Sequence, residues 1–171
     1  TCPSLSCPTS KWSPIDPGNK HPVKNPPRVV IVGFPNVGKS TLFNRLAGKR
    51  KALVHNQPGM TRDCLEERTS ILDRRVTLVD TGGLFGVQDE PLSARARKSA
   101  WREVVKADLI LFMVDARREL SPVEEGLLDD VRKVGVPVIL VVNKVDSQSQ
   151  EPAAAGFYSL GVADTLFVSA E

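Results

Sequence analysis

Side chains that cross-link or bind metal are scarce in this chain. Its 171 residues hold three cysteines and two histidines. Cys2, Cys7 and Cys64 fit no zinc-ligand spacing, so a reducing compartment without a structural disulfide is the simplest reading. His21 and His55 stand in polar stretches and read as ordinary polar residues. No apolar run approaches the ~18 residues that a membrane-spanning helix needs, so no membrane partner is expected. The longest runs have the length of buried strands. A large excess of one charge is missing as well. The net charge of +3 does not by itself argue for a nucleic-acid ligand.

What is present suffices for one domain. A chain of this length with 41% hydrophobic residues buries a core without staples. Residues 1–27 stand apart. They are rich in Pro, Ser and Lys, and Asp16 is their one acid. Such a segment cannot bury enough apolar surface to order itself, so a disordered extension is expected there. The chain opens without Met, which suggests an internal piece of a longer protein. The acid-poor composition suits a plain tail or an organelle transit region and its linker. Lys11, Lys20, Lys24 and Arg28 are expected to be solvated charges.

From residue 28 onward, strand-like and helix-like runs alternate. Strands are predicted at Val29–Val32, Leu65–Leu72, Val76–Val79, Leu109–Val114, Val138–Val142 and Thr165–Val168. Most are continuous β-branched runs, as parallel strands covered on both faces require. Leu65–Leu72 is more polar and reads as an edge. Its short Asp73-Arg74 link to the next strand implies an antiparallel hairpin. Helices are predicted at Ser40–Ala47, about Pro91–Lys106 and Pro122–Val134, with a short one near Pro152–Ser159. Gly48 ends the first, and Ser121, Pro122 and Glu124 write a capping box at the start of the third. The pattern predicts a doubly wound α/β domain. Its six-stranded, mostly parallel sheet would have one antiparallel edge hairpin and a site at the carboxyl ends of the strands.

Three motifs fall at those strand ends. Gly33-Phe34-Pro35-Asn36-Val37-Gly38-Lys39-Ser40 fits G-x-x-x-x-G-K-[ST] between a strand and a helix. Glycines let the backbone curl so that its N–H groups face phosphate oxygens, and the helix adds the positive end of its dipole. Lys39 would charge-neutralise the β- and γ-phosphates, and Ser40 would offer its hydroxyl to Mg²⁺. Val37, Gly38 and Thr41 complete the phosphate-facing set. Asp80-Thr81-Gly82-Gly83 reads D-x-x-G. Asp80 would hold the Mg²⁺ shell, and the Gly83 N–H would approach the γ-phosphate. Asn143-Lys144-Val145-Asp146 reads N-K-x-D. A carboxylate at Asp146 would accept from guanine N1–H and the 2-amino group, a donor pair that adenine lacks. Asn143 would bond the base edge and brace the phosphate loop, and the Lys144 stem would lie along the base plane. Ser169 and Ala170 would supply a backbone N–H to guanine O6. The set predicts GTP and GDP as ligands.

These residues resemble the first G domain of the Der/EngA family of P-loop GTPases. The likeness rests on Val32–Leu46, on Pro58-Gly59-Met60-Thr61-Arg62-Asp63, on Asp80-Thr81-Gly82-Gly83-Leu84, and on Phe157-Tyr158-Ser159-Leu160-Gly161 ahead of Ser169-Ala170-Glu171. It covers residues 28–171. Phe34 departs from it, standing where the family usually has a basic residue. So does the basic stretch Arg95, Arg97, Lys98 and Arg102, which reads as a solvated helix face with an RNA or ribosome contact as the rival. Trp101 fits packing against a helix face.

The resemblance implies a molecular switch in ribosome assembly, with ribosomal RNA or a subunit contacted through further domains. It implies a further helix after Glu171, and hence a G domain truncated at its C-terminus. It assigns Thr61 to Mg²⁺, with Thr69 as a rival inside the predicted edge strand. Residues 49–63 would form a switch loop. Leu84 stands where many GTPases place a water-orienting Gln, and it has no donor or acceptor. GTPases of this type instead use the Asn of the phosphate loop, here Asn36, to hold K⁺ against the phosphates. The catalytic set is therefore expected to be Lys39, Asn36, Thr61 and Gly83, with potassium-stimulated hydrolysis. A tRNA-modification GTPase and a GTP-binding docking module without turnover are the alternatives. A bacterial cytoplasm or an organelle interior is the expected location.

Overall fold

The computed structural model describes residues 25–48, 64–82, 91–145, 156–158 and 160–169, with the backbone alone for 91–96. Its elements run β1 (Arg28–Val32), α1 (Lys39–Ala47), β2 (Leu65–Ile71), β3 (Arg74–Asp80), α2 (Pro91–Val105), β4 (Leu109–Asp115), α3 (Pro122–Lys133), β5 (Val138–Asn143) and β6 (Asp164–Phe167). The six strands form one sheet in the order β2-β3-β1-β4-β5-β6. β2 pairs antiparallel with β3, and every other pair is parallel. Residues 156–158 are helical, within the predicted Pro152–Ser159 segment.

The β-branched runs sit where both faces are covered. Along β1, Val30 and Val32 enter a core with Phe112, Val114, Leu140 and Val142, closed by Ala100 and Val104 of α2 and Leu128 and Val131 of α3. Val29 and Ile31 enter the opposite core with Leu78, Met113 and Val141, closed by Phe43 and Ala47 of α1. Trp101 packs against the first of these cores, as a helix-face residue should. On the α1 side, Met113 and Val141 are buried, Leu109, Leu111 and Ile139 are half-buried, and Leu166 is exposed.

The ends of the elements follow local chemistry. Gly48 takes φ 66° and caps α1 through its N–H to the Arg45 carbonyl. Ser121 caps α3 with a complete capping box and Pro122 at the first turn. Buried Glu124 closes that box and also receives both guanidinium nitrogens of Arg118, at 2.7 and 2.6 Å. The hairpin differs by one residue from expectation. Ile71 pairs with Arg74, so the two-residue turn is Leu72-Asp73, with φ of 48° and 62°. Positive φ at both positions is that of a type I′ turn, whose twist matches the flanking strands, and it is imposed on Leu72 although leucine disfavours it.

Arg28 corrects another expectation. It is not a free solvated charge: its guanidinium pairs with Glu66 and Glu103, and its N–H donates to Asp108 at 2.7 Å. The ties link β1 to β2, to α2 and to the residue before β4.

Candidate nucleotide site

Parallel strands deliver their carboxyl ends to one edge, and the three motifs meet there. β1 runs into the phosphate loop, β3 ends on Asp80, β4 on Asp115 and β5 on Asn143. Ser169 follows β6 by two residues.

The loop depends on its glycines. Gly33 has φ 153°, and a Cβ there would strike the Met113 carbonyl. Gly38 has φ 99°, and a Cβ there would strike the Asn143 side-chain amide. Asn36, with φ 64°, is exposed at the tip. No side chain caps the N-terminus of α1, which begins at Lys39. Its first N–H groups and its dipole are therefore directed at whatever fills the loop. Val37 is buried beneath it, and Thr41 lies exposed on the first turn of α1.

Lys39 is 4% exposed, and its ammonium donates to the Phe34 carbonyl at 2.5 Å. Burial pushes its pKa down to about 8, while the charge of Asp80 pulls weakly the other way. A buried ammonium with one carbonyl partner suits an incoming anion. Beside it, the Ser40 hydroxyl donates to Asp80 Oδ2 at 2.8 Å, and Asp80 Oδ1 accepts from the Gly82 N–H at 2.8 Å. The Thr81 hydroxyl anchors this turn on the Ile31 carbonyl at 2.8 Å. Ser40 and Asp80 thus present adjacent hard oxygens, the donor type that Mg²⁺ prefers. Among the described residues no cluster of three or more His, Cys, Asp or Glu side chains exists.

The base end is tied to the phosphate end. Asn143 Nδ2 donates to the Val37 carbonyl at 2.9 Å, and the Lys144 ammonium donates to the Asn36 carbonyl at 2.7 Å. The backbone N–H of Ala116 holds the Asn143 carbonyl at 2.8 Å, and that of Val145 holds the Val168 carbonyl at 3.3 Å. Arg45 reaches across to the Ser169 carbonyl at 3.1 Å. Lys144 has φ 66°.

Asn36, Val37, Gly38, Lys39, Ser40, Thr41, Asp80, Asn143, Lys144 and Ser169 therefore stand at this edge. Thr61, Gly83, Leu84, Asp146 and Ala170 lie outside the described residues. Thr69 is the rival magnesium ligand. It sits within β2, and its hydroxyl donates to the Leu46 carbonyl at 3.4 Å. Arg97, Lys98 and Arg102 are exposed on α2. Asp115 went unnoticed in the sequence. Its carboxylate accepts from the Lys144 ammonium at 2.7 Å and from the Arg117 N–H at 3.0 Å. The available signal was an acid closing an apolar strand at the carboxyl edge.

A strand–loop–helix that offers backbone N–H groups and one buried ammonium is made to hold phosphate. A loop braced by an Asn-Lys turn two strands away is organised for a whole nucleotide, and this defines a P-loop nucleotide-binding domain. Residues 28–144 match the family of 50S ribosome-binding GTPases, and the chain belongs to that family. It is 50% identical over 145 residues to GTPase Der of Heliobacterium modesticaldum, covering 84% of this chain and 33% of that protein. With GTPase Der of Akkermansia muciniphila the identity is 42% over 144 residues, covering 84% and 31%. The chain thus spans about a third of the length of these curated relatives. Among solved structures it superposes on Era in complex with MgGDPNP and nucleotides 1506–1542 of 16S ribosomal RNA with a TM-score of 0.73. That pair shares 29% identity over 84% of this chain and 51% of the other. Aquifex aeolicus Era bound to GDP·AlF4⁻ gives the same TM-score at 28% identity, covering 84% and 50%.

Proposed function

We propose that this chain is the GTP-binding and GTP-hydrolysing switch domain of a ribosome-assembly protein. The observation that carries the proposal is the pair of bonds from Asn143 to Val37 and from Lys144 to Asn36, which makes phosphate loop and base motif one rigid unit. Within it, the loop N–H groups and Lys39 bind the phosphates. To Asp146 we assign selection of guanine through N1–H and the 2-amino group, and to Ser169 and Ala170 the contact with O6. Ser40 and Asp80, with Thr61 from the switch loop, would hold Mg²⁺. The ion supplies charge neutralisation at the β- and γ-phosphates. Gly83 is the residue we assign to the γ-phosphate. Members of the matched family are described as ribosome-binding, and one structural neighbour is bound to 16S ribosomal RNA. Ribosomal RNA or a subunit is accordingly the partner we assign, reached through further domains, in a bacterial cytoplasm or an organelle interior.

Hydrolysis without a water-orienting Gln after D-x-x-G leans the more on positive charge that stabilises the transition state. Asn36 is exposed at the loop tip, where its side chain can hold K⁺ beside the phosphates. The test is GTP turnover by the full-length protein in matched potassium and sodium buffers. Faster turnover in potassium, lost in Asn36→Ala, supports the cation-assisted route. Equal rates in both salts refute that route. GTP binding without turnover in either salt would leave a docking module instead of an enzyme. Failure to bind GTP would refute the whole reading.

A further inference from the structure

We propose that Asp115 is a positioning residue for the guanine base, holding Lys144 in the one conformation in which its stem covers the base plane. The proposal rests on the GTP-binding reading above and assigns a determinant that none of the three sequence motifs contains.

Lys144 occupies a backbone state that a side chain bearing Cβ seldom adopts, with φ 66°. Such a state is strained and persists only where the surroundings fix it. Several contacts fix it here. On one side the backbone is pinned by Ala116 N–H to Asn143 O, and on the other by Val145 N–H to Val168 O. The far end of the side chain is clamped between the Asn36 carbonyl and Asp115 Oδ2, each at 2.7 Å. The carbonyl is neutral, so Asp115 supplies the only charge in the clamp.

Asp115 is itself held in place. Register pairs it with Asn143 on the neighbouring strand. The Arg117 N–H donates to its other oxygen, and the Arg118 N–H donates to its carbonyl. The ion pair is sheltered, with the lysine 19% and the aspartate 12% exposed. Burial alone would raise the carboxyl pKa, but the hydrogen bonds from Lys144 and the Arg117 N–H outweigh it and hold the group ionised below its ordinary range. The carboxylate is therefore charged at any pH at which a nucleotide would be measured. The side chain binds Lys144 and the Arg117 N–H, so its effect on the base would run through the lysine.

The test measures dissociation constants of fluorescently labelled GDP and GTP on the full-length protein. The proteins compared are the parent, Asp115→Ala, Asp115→Asn, Lys144→Ala and the double variant Asp115→Ala/Lys144→Ala. Loss of a sheltered charge-assisted bond predicts about tenfold weaker binding of GDP and GTP alike in Asp115→Ala. Asp115→Asn keeps an acceptor oxygen without the charge and should lose about threefold. Both should raise KM for GTP more than they lower kcat. In the Lys144→Ala background the Asp115 substitution should cost nothing further, because a positioning residue is silent once its target is gone. Unchanged affinity in Asp115→Ala overturns the proposal. So does an equal loss with and without Lys144, which would mark a merely structural role. A parent that binds neither nucleotide refutes the GTPase reading and the proposal together. A parent that binds normally beside an unaffected Asp115→Ala refutes the proposal alone.

Discussion

At Lys39, stability and ligand binding should move in opposite directions. Its ammonium is buried, with a single carbonyl partner, and its pKa of about 8 lies well below the ordinary 10.5. At neutral pH the group still carries its proton, so the nucleotide-free fold bears the desolvation cost. The distance between the two values corresponds to about 3 kcal/mol. The sign follows from proton counting. Between pH 8 and 10.5 the unfolded chain binds more protons at this lysine than the folded one. Its destabilising effect is therefore complete below pH 8 and is relieved as pH rises toward 10.5. Lys39→Met keeps the length of the side chain and removes the charge. It also forfeits the bond to Phe34 O, worth about 1 kcal/mol. The nucleotide-free variant should be about 2 kcal/mol more stable, which for a domain of this size is a rise in Tm of about 4–8 °C.

The assay is thermal unfolding followed by circular dichroism, with and without GDP. GDP at a hundred times its Kd should stabilise the parent by about 2.7 kcal/mol and the variant not at all. The order of melting temperatures should thus reverse on adding nucleotide. A nucleotide-free variant that melts below the parent would refute the claim that Lys39 is held at a cost. A variant that GDP still stabilises would refute its assignment to the phosphates.

Three further substitutions probe the frame of the site. Gly38→Ala forces a side chain into φ 99° and against the Asn143 amide. It should weaken GDP binding at least about tenfold as the brace to Val37 shifts, and a GDP titration with unchanged Kd would show that the loop yields freely. Glu124→Gln keeps the shape of the α3 capping box and removes its charge. It should cost about 2 kcal/mol at pH 7 in a urea titration. Burial would raise the Glu124 pKa, but Arg118 and Ser121 lower it below the ordinary 4.5. That contribution is present above pH 4.5 and is lost as pH falls through the folded value, so the parent and variant curves should converge in acid. Leu72→Asn replaces an exposed leucine at φ 48° with a residue that tolerates that geometry. Unfolding should require about 1 kcal/mol more, with GDP affinity untouched.

Motifs and apolar runs were legible wherever one residue type answers one local demand. The buried strands announced themselves as β-branched runs. The capping box at Ser121 and the glycine stop at Gly48 could be read because each satisfies its own helix end. Thr69 could be placed within an edge strand, and it lies in β2. What failed was whatever needed a partner distant in sequence. Arg28 looked like one more charge beside a basic tail, but Glu66 and Glu103 reach it only after β2 and α2 have packed. The turn residues were misplaced by one because Leu72 carries no turn signal, and strand twist overrides its preference.

Asp115 shows why the missed part of the site lay where it did. The phosphate loop leaves β1 and the base motif leaves β5, and the sheet order inserts β4 between them. Any tie between the two motifs must cross the end of that middle strand. The residue there is placed by register directly beside Asn143, within reach of the side chain that follows it. Its role is fixed by the crossover topology, not by its own neighbours in the chain, so no motif of contiguous residues can contain it. An acid at that point serves one further end, since the middle strand delivers it to the lysine that joins base to phosphate. Affinity for the base should then depend on the packing of β4 against β5. A substitution that loosens that pairing, far from any nucleotide contact, should weaken GDP and GTP to the same degree.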